Sequence, residues 1–120
     1  MELNRIIIFV ADVDKCAAFY QNTFGFTVKP GRTPEWVELD TGGCTLAFHQ
    51  ARVKGAKASK GTGSSANPHK IVFSTKDVEG KRAELIRKGV KMGAVMKFEQ
   101  LVFCDGTDPE GHKFQLSNRP

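Results

Sequence analysis

Residues 5–14, Arg5-Ile6-Ile7-Ile8-Phe9-Val10-Ala11-Asp12-Val13-Asp14, return at 70–79 as Lys70-Ile71-Val72-Phe73-Ser74-Thr75-Lys76-Asp77-Val78-Glu79. Each copy opens on a cation, continues through apolar residues and turns at an Asp-Val-acid corner. The segments that follow end alike, at Thr23-Phe24-Gly25-Phe26 and Arg87-Lys88-Gly89-Val90. A second, collinear match lies further along each half. There Asp40-Thr41-Gly42-Gly43-Cys44-Thr45-Leu46-Ala47-Phe48 falls on Asp108-Pro109-Glu110-Gly111-His112-Lys113-Phe114-Gln115-Leu116. Repetition of this kind points to one supersecondary unit used twice.

Local chemistry agrees with that division. Asp12 and Asp77 suit helix N-caps, because a carboxylate accepts from the free amides of the first turn and opposes the helix dipole. Val13, Ala17, Tyr20 and Phe24 follow at helical spacing, and Val78, Leu85 and Ile86 do so less fully in the second half. Gly25 and Gly89 suit the left-handed residue that closes a helix. Strands are expected over 5–11, 35–40, 44–50, 70–75, 99–104 and 112–117, with a further one near 27–29. Each half therefore predicts a βαβββ module: residues 1–50, then a linker over 51–69, then residues 70–120. The linker is rich in Gly, Ser and Ala, carries Lys54, Lys57 and Lys60, and suits a flexible connection. It is not a phosphate-binding loop: Lys60 stands where the second glycine after Gly55 is needed, and Thr62 rather than Lys follows Gly61.

Composition narrows the class. The chain has 120 residues, 40% of them hydrophobic and 26% charged, enough for one self-supporting domain. The longest apolar run, Ile6 to Ala11, is too short to span a bilayer, and Met1-Glu2-Leu3-Asn4-Arg5 lacks the pattern of a signal peptide. Cys16, Cys44 and Cys104 are an odd, widely spaced set, so no disulfide framework is expected and a cytoplasmic location is. The formal net charge of +5 would suit anions. Without a basic stripe interleaved with aromatics, nucleic acid is not the expected partner.

Alternation separates the strands into two faces. Ile6, Ile8, Val10, Leu46, Phe48, Ile71, Phe73, Phe114 and Leu116 form a wholly apolar set suited to helix cover. The opposite set is Arg5, Ile7, Phe9, Thr45, Ala47, His49, Lys70, Val72, Ser74, Lys113, Gln115 and Ser117. Mixed in this way, it suits a ligand-binding cleft or a solvated sheet face.

"IIIFVADVDKCAAFYQNTFGF", "LAFHQ", "HKIVFSTKDVEGKRAELIRKGV" and "DPEGHKFQL" together resemble the vicinal oxygen chelate superfamily, the glyoxalase/bleomycin-resistance/dioxygenase fold, over nearly the whole chain. The resemblance implies an α+β fold in which two βαβββ modules form a cupped mixed sheet around a cleft, commonly in a homodimer. Its members include metal-dependent lyases and dioxygenases as well as metal-free proteins that sequester small molecules. In the catalytic members His, Gln or Glu holds a metal at four repeat-equivalent positions, which here are Arg5, Ala47, Lys70 and Gln115. Arg and Lys are donor-only cations and Ala47 has no ligating atom, so Gln115 alone could ligate, weakly.

The expected function is metal-independent binding of a small organic molecule, with Arg5, Ile7, Phe9, Ala47, His49, Lys70, Val72, Lys113 and Gln115 as cleft candidates. An anionic group on that molecule, facing Arg5 and Lys70, is a subsidiary expectation, set against snorkelling of both side chains to water. No cofactor is expected. The alternative is a glyoxalase-like lyase or dioxygenase relative with a divalent metal in a nonstandard shell of His49 and Gln115. A third possibility is partner docking through the basic linker or a strand edge. His69 and His112 lack metal-binding spacing, and Cys104, Tyr20 and Trp36 suit packing better than catalysis.

Overall fold

A computed structural model of the chain describes residues 1–51 and 68–120. Most of the expected linker, with Lys54, Lys57 and Lys60, lies outside the described residues. The chain divides into two compact units, Met1–Ser59 and Lys60–Pro120.

Unit 1 runs β1 (Arg5–Val10), α1 (Val13–Phe24), β2 (Thr27–Val28), β3 (Trp36–Asp40) and β4 (Thr45–Gln50). Its sheet has the order β1-β4-β3-β2, with β1 parallel to β4 and the other neighbours antiparallel. Asp12 caps α1 through a 3.0 Å bond accepted from the Lys15 amide, and Gly25 ends it at φ 75°. Both ends of the helix are therefore where the sequence places them. The buried face of α1 presents Val13, Cys16, Ala17 and Tyr20, a 3–4 residue repeat, and packs on β3 and β4. Tyr20 stacks between Phe24 and Phe48, at 5.8 and 5.3 Å between ring centroids. Burial of one such ring stabilises the fold by roughly 1.5–3 kcal/mol.

Unit 2 runs β5 (Ile71–Ser74), α2 (Val78–Arg87), β6 (Lys91–Met92), β7 (Met96–Phe98), β8 (Leu101–Thr107) and β9 (Lys113–Ser117). Its sheet follows β5-β9-β8-β6, with β7 also pairing with β8 and β5 parallel to β9. Asp77 caps α2 by accepting from the Gly80 amide at 2.9 Å. Leu85, Cys104, Phe114 and Leu116 are fully or almost fully buried. Gly106 lies opposite Phe114, and a Cβ there would fall 2.2 Å from the Phe114 ring. The absence of a side chain at Gly106 leaves room for that ring against β8.

Among the described residues, two helices with mixed sheets of four and five strands make up the expected α+β architecture. Three details differ. β6 and β7 were not expected, because two- and three-residue strands leave too little alternation to detect. β8 spans Leu101–Thr107 rather than 99–104, since residues 99–100 form a turn in which Glu99 takes φ 55°. The apolar face is graded rather than closed: Leu46, Phe48, Phe114 and Leu116 are buried, whereas Ile6 is 37% exposed. Ile6 lies on β1, the sheet's edge strand, and α1 packs on β3 and β4 instead.

Candidate functional site

Strand register arranges the mixed face of each unit into cross-strand rows. In unit 2, Val72 pairs with Gln115 and Gln115 with Asp105; one step along, Ser74 pairs with Ser117 and Ser117 with Phe103. The corresponding rows of unit 1 are Ile7-Ala47-Glu38 and Phe9-His49-Trp36. The backbone lattice is the same in the two units, and the side chains standing on it are not.

In unit 1 the outer row is filled with rings. His49 lies 5.4 Å from Phe9 and 5.6 Å from Trp36 between ring centroids, and the Arg5 guanidinium stands 6.0 Å from the centre of the Trp36 ring. In unit 2 two serines occupy the places of Phe9 and His49. Those small side chains leave a hollow of about 550 Å³, lined by Val72, Ser74, Leu101, Phe103, Gln115, Ser117, Arg119 and Pro120. The volume is in the range of small-molecule sites, and an apolar wall with a few polar groups is their usual composition.

The segment after β9 supplies one wall. Asn118 fastens it to β8 and the turn before it: its backbone amide donates to the Val102 carbonyl, its side-chain oxygen accepts from the Val102 amide, and its side-chain nitrogen donates to the Gln100 carbonyl. The Arg119 amide donates to Ser117 Oγ at 3.1 Å. Arg119 thus stands at the hollow with no ion pair among the described residues.

Arg5 and Lys70 are answered inside their own units. Lys70 Nζ donates to Asp105 Oδ2 at 2.9 Å, and Gln115 Nε2 donates to the other oxygen, Oδ1, at 3.0 Å. Arg5 Nε lies 2.6 Å from Glu38 Oε1. That oxygen is closed to water and accepts no hydrogen bond of good geometry, so proximity of charge, not an aligned bond, holds this pair. Glu38 and Asp105 occupy equivalent places, opposite Ala47 and Gln115. Each half therefore carries the same cation–carboxylate device.

Of the nine cleft candidates, Val72 and Gln115 line the hollow; Lys70 does not, and is linked to Gln115 through Asp105. Lys113 is tied to Thr107 Oγ1 at 2.9 Å and does not line it. Arg5, Ile7, Phe9, Ala47 and His49 lie on unit 1. Ile7 and Phe9 are exposed, whereas Ala47 is fully buried and presents no open surface. Sequence reasoning missed Glu38, Asp105, Leu101, Phe103, Asn118 and Arg119.

The donor set does not suit a metal. The four positions that the resemblance implies for metal ligands hold two paired cations, a methyl group and an amide whose nitrogen is already engaged. Among the described residues no cluster of three or more His, Cys, Asp or Glu could hold an ion. His49 Nδ1 is 2.7 Å from the Gln50 carbonyl, between two rings. His112 Nδ1 lies 3.0 Å from Asp108 Oδ2, and Asp108 Oδ1 accepts from the amides of Glu110 and His112. These contacts pin the Asp-Pro-x-Gly turn, a structural task. Burial pushes the Cys104 thiol up; the Arg82 guanidinium opposes this and the Asp105 carboxylate adds to it. A raised thiol is a poor nucleophile.

Known proteins are consistent with this architecture. A structure from Burkholderia phytofirmans PsJN, a glyoxalase/bleomycin resistance protein/dioxygenase family enzyme, is 24% identical with a TM-score of 0.78, covering 98% of each chain. Lactoylglutathione lyase from Agrobacterium tumefaciens is 15% identical with a TM-score of 0.74, covering 97% of this chain and 92% of its own. TnmS3, an antibiotic binding protein from Streptomyces sp. CB03234, is 19% identical with a TM-score of 0.71, covering 97% and 93%. At these identities the likeness is one of fold. No curated protein sequence matches the chain. The pattern of one family does match, over residues 2–116, and by it the chain belongs to the Glyoxalase/Bleomycin resistance protein/Dioxygenase superfamily.

Proposed function

We propose that this chain binds a small organic molecule in the hollow of unit 2, without a metal. The observation that carries the proposal is the row Ser74-Ser117-Phe103, where two small residues open about 550 Å³ beside an apolar wall. Among proteins of similar fold are an antibiotic binding protein and a lactoylglutathione lyase. The residues at the four ligand positions favour the first kind of role over the second. An anionic group on the bound molecule would meet Arg119, since Arg5 and Lys70 are neutralised by Glu38 and Asp105.

A homodimer and a cytoplasmic location belong to the same proposal. Exposed Ile6, Ile7 and Phe9 support self-association, and three free cysteines suit a reducing compartment. No described helix is long and apolar enough to cross a membrane.

Titration of wild type and Ser74→Phe with a panel of flat aromatic molecules, followed by amide NMR shifts, tests the site. Ser74 is exposed, so a ring placed there should fill the hollow without disturbing the core. Binders of the wild-type protein should weaken at least about tenfold, a difference of about 1.4 kcal/mol. Equal binding by both proteins would refute the location. Stoichiometric metal in protein purified without a tag would refute metal independence.

A further inference from the structure

Gln115 has a fixed polarity. Its amide nitrogen donates to Asp105 Oδ1, and an ionised carboxylate can only accept, so the amide cannot be turned around without facing oxygen to oxygen. The other carboxylate oxygen, Oδ2, accepts from Lys70, whose ammonium carries donors only. The chain Lys70→Asp105→Gln115 thus leaves Gln115 Oε1 as the acceptor the network does not use, beside the second N–H of the same amide. No hydrogen bond reaches that oxygen among the described residues, and it is not closed off from water as Glu38 Oε1 is. Gln115 lines the hollow, so the free oxygen is an acceptor offered to whatever enters.

We infer that Gln115 selects molecules presenting an N–H or O–H donor on a flat apolar body, and that Lys70 and Asp105 are positioning residues that set this preference. The inference rests on the binding role proposed for the hollow and names the chemistry of its occupant. The apolar body would pack against Val72, Leu101 and Phe103. An occupant offering an acceptor instead would leave two lone-pair oxygens facing each other, at a cost comparable to an unmade hydrogen bond.

Changing one atom of the network should invert the preference. In Asp105→Asn the side-chain oxygen must stay on Lys70, because an ammonium cannot accept. The new amide nitrogen then points at Gln115 and demands an acceptor. Gln115 turns its oxygen to Asn and its nitrogen to the hollow. Lys70 thereby dictates, two residues away, which end of Gln115 the occupant meets.

Indole and benzofuran are suitable probes: they share shape, but one carries a ring N–H and the other an oxygen. Binding to the full-length 15N-labelled protein is followed through the amides of Phe103 and Ser117 and the Gln115 side-chain amide. Wild type should bind indole about fivefold more tightly than benzofuran, the span of one ordinary hydrogen bond. Asp105→Asn should reverse that order, and Gln115→Leu should abolish it while retaining both probes. Dispersed spectra of each variant establish that it is folded, and Gln115→Leu tests the acceptor independently of the network. Equal affinities in wild type, or an order unchanged in Asp105→Asn, would overturn the inference while leaving the hollow a binding site. If neither probe shifts Phe103 or Ser117 in the wild-type protein at millimolar concentration, the binding role and the inference fall together.

Discussion

Arg5 can be asked directly whether it serves the fold or a ligand. Its partner Glu38 has a side chain only 16% exposed, while that of Arg5 is 41% exposed. The two members of the pair therefore depend on each other unequally. In Arg5→Ala the mostly enclosed carboxylate loses the cation beside it. A fully buried, stranded charge costs about 3–5 kcal/mol and an unsatisfied polar group about 1–3, so this partly exposed acid should cost about 1–3 kcal/mol. Loss of the contact with the Trp36 ring adds about 0.5 kcal/mol. In Glu38→Gln the exposed guanidinium hydrates itself, and the cost should stay within about 1 kcal/mol. Urea unfolding followed by Trp36 fluorescence measures both. With a slope of about 1–3 kcal/mol per molar urea, Arg5→Ala should lower the midpoint by about 1 M and Glu38→Gln by much less. The double variant Arg5→Ala/Glu38→Leu should recover most of the loss, because the enclosed charge is gone. If Glu38→Gln destabilises as much as Arg5→Ala, the pair is not asymmetric and the reasoning fails. If Arg5→Ala leaves stability intact but abolishes binding of an anionic ligand, Arg5 belongs to the ligand.

Two further outcomes follow from the packing. Gly106→Ala should cost about 1–3 kcal/mol by pushing the Phe114 ring off β8, read as a lower urea midpoint, and an unchanged midpoint would contradict the close approach. Under native conditions a chromogenic disulfide reagent should modify Cys44 quickly and leave Cys16 and Cys104 protected until unfolding, since both are buried and burial holds the Cys104 thiol up; rapid modification of all three would refute it.

The fold was legible because its signals are local and doubled. Asp12 and Asp77 cap, Gly25 and Gly89 end their helices, and the apolar runs alternate, all within a few residues of chain. The lining of the hollow was legible for Val72 and Gln115, whose strands begin and end close to where alternation places them. Glu38 alternates with buried Val37 and Leu39, so its face could be read from Trp36-Val37-Glu38-Leu39. Its place opposite Ala47 could not, because register between β3 and β4 depends on the turn that joins them. Asp105 fell one residue past the expected end of its strand, hidden by the Glu99 turn that moves β8 forward. Leu101 and Phe103 lay inside that strand, but without partners nothing marked their face as a wall. Asn118 and Arg119 follow the last strand, where neither alternation nor helical period applies. The charge on Arg5 and Lys70 was plain in the sequence; the acids that absorb it lie distant in the chain and are brought near only by folding.

The serine row has a consequence for how such a protein can be altered. The hollow in unit 2 exists by subtraction: it is the room that Phe9 and His49 fill on the matching lattice of unit 1. Its size is then set by side chains standing on strands that do not need to move, and single replacements at Ser74 can grade it from open to closed with the backbone left alone. By the same logic unit 1 holds a second chamber already furnished, and replacing Phe9 with serine would begin to empty it. Duplication has given the chain two copies of one frame, and a binding capacity in either is decided by what is left out.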